Sequence, residues 1–187
     1  MKKLVLSCVG ALSLVACGAP SGLEGKIAGH EFHGKDAILI NEIDEGESFT
    51  YLVLTDFENA CESFKANRLP KSSKLLAIVL THVRDDGAQL PVNTGEYSLG
   101  AGSGSGWSGK RAGAQFSRLD ENCRSTLPYN QMVAQSGLVK VETFDVGEGT
   151  SGTFDATFGD QKDKVSGWFN ATRCDTGPDV LVEPSCE

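Results

Sequence analysis

The sequence predicts an all-β domain, an antiparallel sandwich or barrel with one short helix and two disulfides. Three observations support this prediction. Roughly nine short segments alternate in hydrophobicity or run apolar, and turn residues separate them at short intervals. Only one segment breaks the β pattern. Six cysteines occur, of which four lie in the part of the chain that holds these strands.

The chain opens with a leader that is separate from the fold. Lys2 and Lys3 precede an apolar run from Leu4 to Ala16, which has the length of a signal-peptide hydrophobic region. The run is shorter than the roughly 20 residues that a membrane-spanning helix needs. It ends in the four residues Leu14-Val15-Ala16-Cys17, followed by Gly18.

This ending resembles the lipobox of bacterial lipoproteins. The resemblance implies that Cys17 carries a diacylglyceryl group, that the signal is cut before Cys17, and that the new amine is acylated. Two or more acyl chains anchor a protein stably. In the sorting rule of that family, Gly18 in place of Asp implies the outer membrane, on the periplasmic or the cell-surface face. The expected domains are a signal peptide at 1–16, a lipidated tether at 17–24 and a single β domain at 25–187.

The composition narrows the set of partners. The net charge is −8, and loss of Lys2 and Lys3 with the signal makes it −10. An acidic chain repels phosphate backbones, so we expect no nucleic-acid partner. The lipid is the expected membrane attachment, and an envelope protein is a candidate partner.

Cys61, Cys123, Cys174 and Cys186 predict two disulfides, because an exported chain with an even number of cysteines usually pairs them. Three connectivities are open. We favour Cys61–Cys123 and Cys174–Cys186, the second of which would tie the tail to the last strand. The wide spacing disfavours a four-cysteine zinc site, which needs close pairs.

The first half of the domain reads as four strands and a helix. The first three strands are "GKIAGHEF" (25–32), "DAILINEI" (36–43) and "SFTYLVLTD" (48–56). Asp56 is a candidate cap for a short helix that ends near Ala66, before Pro70. The run "KLLAIVLTHV" (74–83) is apolar throughout, which predicts a central strand buried on both faces.

The second half predicts further strands at 95–99, 112–120 and 138–146, with a loop at 121–131. The segments Gly152–Thr157 and Gly167–Thr172 repeat the same order of small and aromatic residues. This echo predicts the two strands of a hairpin, joined by the turn "GDQKDK" (159–164).

The domain also resembles a loose set of small bacterial lipoproteins of unknown function. The resemblance rests on three features: the early strand Gly25-Lys26-Ile27-Ala28-Gly29 with Asp36-Ala37 after it, a mid-chain cysteine after an apolar strand, and the closing motif from Gly167 to Cys174. It implies a β-rich fold and carries no activity.

The stretch "GAGSGSGWSGK" (100–110) contains G-x-x-x-x-G-K and G-x-G-x-x-G, which are typical of nucleotide sites. Both motifs require a following helix, whereas "AGAQFSRLD" alternates like a strand. Arg111 also replaces the hydroxyl residue that would hold magnesium. We therefore expect no nucleotide and no cofactor. The stretch reads as a hairpin loop, with Trp107 as a candidate ligand contact.

The remaining motifs do not support catalysis or a metal site. His30 and His33 would point to opposite faces of a strand, so they would not converge on one ion. No nucleophile elbow or zinc-protease motif occurs. We expect a non-catalytic binding or accessory module of the cell envelope. The alternatives are a small-ligand-binding barrel and, with less support, an envelope hydrolase.

Overall fold

A computed structural model describes residues 21–44, 47–100, 108–176 and 185–186. Cys17 and Trp107 lie outside the described residues. In chain order the elements are β1 (Glu24–Ile27), β2 (His30–His33), β3 (Asp36–Asp44), β4 (Glu47–Thr55), α1 (Ala60–Lys65), β5 (Arg68–Leu69), β6 (Lys74–Val83), β7 (Gln89–Leu90), β8 (Gly95–Gly100), β9 (Gly109–Arg118), α2 (Tyr129–Met132), β10 (Ala134–Asp145), β11 (Gly149–Phe158), β12 (Asp163–Arg173) and β13 (Ser185–Cys186).

Eight of the described strands close into a barrel in the order β3-β4-β6-β9-β8-β10-β11-β12, which confirms the predicted β class. Pairing between β12 and β3 completes the circle. The β12–β3 and β8–β9 pairs are parallel, and the other neighbours in the barrel are antiparallel. Closure leaves these strands with a partner on both sides, which removes the exposed edges that open sheets must protect.

A hairpin of β1 and β2 pairs with β12 and adds Ile27 and Phe32 to the barrel core. The sequence pattern predicts one strand across 25–32, and this prediction is wrong. Ala28 and Gly29 have φ values of 51° and 75°, and two successive left-handed residues reverse the chain in a tight turn. The ring of Phe32 meets that of Phe116 edge-on, with centroids 5.8 Å apart. Leu23, assigned to the tether from the sequence, is fully buried in the same core.

The barrel interior is filled by large side chains. The rings with under 2 % exposure belong to Tyr97, Phe32, Phe116, Phe154, Phe158 and Phe169. The echoed segments are confirmed as an antiparallel hairpin of β11 and β12. Phe154 and Ala156 from β11, and Phe169 and Ala171 from β12, all point into the core. The repeated sequence therefore reflects two strands that face the same interior.

The predicted helix exists, but its cap was assigned to the wrong residue. Helix α1 begins at Ala60, and Asn59 at the N-cap position makes no side-chain cap. Asp36, at the start of β3, accepts the N–H of Ala60 at 2.8 Å. Asp56 instead accepts the N–H of Lys74 at the start of β6. A second short helix, α2, lies in the segment predicted to be a loop.

Two disulfides are confirmed, but the favoured pairing was wrong. The bonds join Cys61 to Cys174 and Cys123 to Cys186. Cys174 follows β12, and its N–H donates to the carbonyl of Leu39 in β3, which brings it beside α1. The chain then returns as β13, which pairs in parallel with β5. No helix among the described residues is long and apolar enough to span a membrane.

Candidate functional site

The strands β3, β4, β6 and β9 all have an apolar inward face, and β3, β4 and β6 are apolar on their outward face as well. Their inward side chains, such as Leu52, Ile78 and Ala114, belong to the barrel core. Their outward side chains form a second buried cluster with α1, β5 and both disulfides. The buried members are Ile38, Ile40, Val53, Ala60, Phe64, Leu69, Leu75, Leu119, Cys123 and Cys174. The barrel wall therefore carries a covered apolar surface on its outside.

This cover leaves a cleft of about 630 Å³ open on the outer wall, hereafter the outer-wall cleft. Its floor consists of outward side chains from three adjacent strands. Strand register places them in rows, which are Tyr51–Val79–Gly113, Val53–Ala77–Gln115 and Leu75–Ser117. Because each row is fixed by backbone hydrogen bonds on both sides, the floor is a rigid part of the barrel.

Small residues give the cleft its depth. Ala77 stands in the middle of the floor, and Gly113 has no side chain at all. A Cβ added to Gly113 would meet no heavy atom of the described residues within 4 Å, so with respect to them this position opens into empty space. Gly113 is also absent from the residues with positive φ, so its backbone accepts other residues. The cleft is therefore a consequence of side-chain size and not of a gap between strands.

The walls come from segments that leave the barrel. At one end of the floor stand Phe64 of α1, Leu69 of β5, Leu119 and Cys123. On the side of β9 stand Ser125, Val133 and Tyr129. Val133 forms a bridge to Gln115, which attaches this wall to the floor. Tyr129 is 71 % exposed, and its ring marks the outer rim.

The turn that carries Cys123 is held by Asp120. Its carboxylate accepts the N–H groups of Asn122 and Arg124, at 2.7 and 2.9 Å. These bonds to the backbone, that of Arg124 first, hold the pKa of Asp120 below its usual value. Cys123 adopts a φ of 59°, and its disulfide joins it to β13. The wall is thus fixed by a hydrogen-bonded turn and a covalent bond.

The residues that line the cleft carry no formal charge. Asp, Glu, His, Lys and Arg are all missing from this lining in the described part of the chain. Its polar groups are the amide of Gln115, the hydroxyls of Ser117 and Ser125, and two tyrosines. Cys123 is oxidised in a disulfide. This set can bind by apolar contact and neutral hydrogen bonds, but it offers no general base beside a nucleophile.

The structure brings together only part of the predicted site. Cys123 lines the outer-wall cleft, whereas Cys61, Cys174 and Cys186 lie in the apolar cluster behind it. Cys17 remains a predicted lipid site, and Trp107 remains a predicted ligand contact, both beyond the described ranges. The hairpin predicted around Trp107 was wrong, because β8 and β9 on either side are parallel. The strand predicted to follow the glycines is confirmed as β9.

The histidines lie apart from the cleft. His33 lies 3.7 Å from Glu31 and 4.0 Å from Glu24 at the exposed edge of the β1–β2 hairpin. Partial burial, and then the charges of Arg118 and Lys74, lower the pKa of His30. Among the described residues no three metal-ligating side chains cluster.

Sequence reasoning missed the outer-wall cleft, although one signal for it was visible. The run at 74–83 is apolar on both faces, which implies that the outer face of β6 has a cover or a ligand. Comparison of the chain with protein-family models, curated proteins and solved structures finds no match. The cleft is therefore interpreted from its own geometry.

Proposed function

We propose that this chain is a lipid-anchored, non-catalytic binding module of the cell envelope whose binding site is the outer-wall cleft. The observation that supports this proposal is the contrast between the two sides of the wall. The inner side is packed with rings, whereas the outer side has a cleft of about 630 Å³ whose described lining is uncharged and whose floor is mainly apolar. Clefts of this size and character are typical of small-ligand sites.

The chemistry of the cleft favours binding over catalysis. Hydrolysis of envelope material would need a nucleophile or an activated water together with a group that moves a proton. The described residues of the lining supply neutral hydroxyls and an amide, and none of them carries a carboxylate or an imidazole. The hydrolase alternative therefore has no support from the geometry of this cleft.

The small-ligand alternative is retained in a changed form. From the sequence, a ligand was expected inside the barrel if the strands left a cavity there. Tyr97, Phe116 and Phe154 are instead buried in the interior, and each is at most 1 % exposed. Binding on the outer wall needs no rearrangement of this core.

The proposed anchor leaves the cleft accessible. From Cys17 to Ser21 the chain spans four residues, which reach about 14 Å when extended. Ser21 bridges to Phe169 in β12, and the strands β3 and β4 separate β12 from β6 at the centre of the cleft floor. A protein attached to the membrane through Cys17 would therefore present the cleft on a different side from its anchor.

The anchor is tested by membrane fractionation. Cys17→Ser should release the protein from the membrane fraction, because it removes the acylated sulfur. Cys8→Ser is the matched control, since Cys8 lies in the signal peptide, and it should leave the distribution unchanged. Continued tight membrane association of the Cys17 variant would refute the lipid anchor.

The site is tested by crosslinking in cells. A photoreactive p-benzoylphenylalanine in place of Tyr129 stands at the exposed rim of the cleft and leaves the floor open. The same residue in place of Thr153, exposed on β11 across the barrel, is the control. We expect a discrete adduct at Tyr129 and none at Thr153. Equal yields at both positions would count against the cleft as a site.

A further inference from the structure

The dimensions of the outer-wall cleft indicate the shape of its occupant. From Leu75 to Val79 the floor extends four residues along β6, which is about 13 Å at 3.3–3.4 Å per residue. From β4 to β9 it spans two inter-strand spacings, or about 10 Å. Such a floor is broad, and its width is close to its length. It matches a flat molecule better than a single narrow chain.

The electrostatics of the cleft exclude a strongly charged occupant. Among the lining residues that the structure describes no side chain is basic, so an anionic group would lose hydration without gaining a partner there. The chain as a whole has a net charge of −8, which further disfavours anions. A cation would meet no carboxylate in the lining. A neutral molecule avoids both costs.

The polar groups are distributed to orient such a molecule. The amide of Gln115 and the hydroxyl of Ser117 stand in β9, on one side of the floor. Ser125 and Tyr129 continue this polar side at the rim. The opposite side carries Val53 and Tyr51, so its one polar group among the described lining residues is a phenol hydroxyl, and the apolar end carries Phe64 and Leu69. A ligand with one uncharged polar edge would place that edge toward β9.

We infer that the outer-wall cleft binds an uncharged, flat, mainly apolar small molecule, such as a fused-ring compound, with a neutral hydrogen-bonding group at one edge. This inference rests on the proposed function and specifies the ligand class of its site. A partner protein would need about 800 Å² of surface on each side, which is much more than a cleft for one small ligand provides. A small molecule fills the available volume.

Two probes that share one ring skeleton test the inference. N-phenyl-1-naphthylamine is uncharged, and 8-anilino-1-naphthalenesulfonate adds a sulfonate to the same rings. Fluorescence titration of the purified chain should give a Kd for the uncharged probe that is at least about ten-fold lower than the Kd for the sulfonated probe. 1-Naphthol should displace the uncharged probe at a lower concentration than 1-octanol does, because 1-naphthol is flat and 1-octanol is a flexible chain. Equal or reversed preferences would overturn the ligand class.

Variants that fill the cleft assign the binding to it. Gly113→Leu projects a side chain into the empty space, and Ala77→Leu does the same from the centre of the floor. Each should raise the Kd of the uncharged probe at least about ten-fold. Thr153→Leu, on the opposite wall, is the control and should leave the Kd unchanged. Circular dichroism and thermal unfolding establish that each variant is folded.

A change of charge provides a gain-of-function test. Gln115→Lys places a cation on the exposed side of the floor. It should lower the Kd of the sulfonated probe at least about five-fold and so reduce or reverse the difference between the Kd values of the two probes. Failure to gain sulfonate binding would contradict the electrostatic part of the inference.

The outcomes separate the ligand class from the proposed function. If the filling variants abolish binding but the two probes bind equally, the cleft is a site and the ligand class is wrong. If Gly113→Leu and Ala77→Leu both leave probe binding unchanged, the cleft is not the site and both proposals fail. If Trp107→Ala strengthens probe binding ten-fold, a segment of this chain competes for the cleft, and the small-molecule inference is overturned.

Discussion

Cys186 in β13 is disulfide-bonded to Cys123, which lines the outer-wall cleft. The bond joins residues 63 positions apart, and β13 pairs beside it with β5. One short strand and one covalent bond therefore hold the C-terminal part of the chain against the wall of the cleft. The second disulfide, Cys61–Cys174, ties α1 to the end of β12 in the same apolar cluster.

Peptide mapping without reduction tests this connectivity. We expect one linked pair that contains Cys61 and Cys174, and a second that contains Cys123 and Cys186. The positions of β12 beside β3 and of β13 beside β5 leave these partners adjacent. A linked peptide that contains both Cys61 and Cys123 would contradict the described fold, because it requires a different path for the tail.

Removal of the Cys123–Cys186 bond should destabilise the fold and open the wall of the cleft. A crosslink that closes a loop of this length lowers the conformational entropy of the unfolded chain, which stabilises the folded state by roughly 4 kcal/mol. Urea unfolding of the double variant Cys123→Ser/Cys186→Ser should show a loss of that order. Its Kd for the uncharged probe should also rise. A loss below about 1 kcal/mol with unchanged probe binding would show that the bond contributes little to either property.

The hydrogen bond from the N–H of Ala60 to the carboxylate of Asp36 is expected to stabilise the first turn of α1. Asp36→Ala removes the acceptor for the first helical N–H and should cost about 1–2 kcal/mol in urea unfolding. Hydrogen exchange at the amide of Ala60 should accelerate. Glu58→Ala, an exposed acidic residue beside the helix, is the control. If both variants lose the same stability, Asp36 does not anchor α1.

Tyr97 predicts a stability change in alkali. Its hydroxyl donates to the carbonyl of Asn93 at 2.7 Å and accepts the N–H of Asn93 at 3.0 Å. Burial raises the pKa of Tyr97, while a hydrogen bond with Asn93 acts weakly in the other direction. The unfolded chain then ionises first, near pH 10. The contribution of Tyr97 to the free energy of unfolding is therefore constant below pH 10 and falls as the pH rises above that value.

Urea unfolding at pH 9 and pH 11 measures this effect. The wild type should lose more stability between the two values than Tyr97→Phe, which has no proton to release. At pH 9 the variant should be less stable by about 1–2 kcal/mol, because it loses both hydrogen bonds. Tyr129→Phe, at an exposed position, should match the wild type. An identical alkaline loss in Tyr97→Phe and the wild type would rule out Tyr97 as its source.

Local pattern predicted most of the strands, because side-chain alternation is a property of each strand alone. The strand at 74–83 and the hairpin of β11 and β12 are confirmed in this way. The turn at Ala28 was missed since alanine seldom adopts positive φ. The pairing of Cys61 with Cys174 was missed because it depends on barrel closure through the parallel contact of β12 with β3.

The candidate site was less predictable than the fold. The apolar outer face of β6 signalled that something covers this strand. The depth of the cleft depends on which residue of β9 stands beside Val79, and the register places Gly113 there. Register between distant strands is set by the whole barrel and not by either segment. The cleft could therefore be recognised only once the strands were assembled.

Crosslinking at Tyr129 in cells, measured with and without the Gly113→Leu substitution, tests most directly whether the outer-wall cleft is the binding site. The leucine fills the cleft while the photoreactive residue at Tyr129 stays exposed, so random collisions with other molecules are retained. We expect that Gly113→Leu abolishes a discrete adduct and leaves the diffuse background unchanged. An adduct of equal yield in both proteins would contradict the assignment of the outer-wall cleft as the binding site.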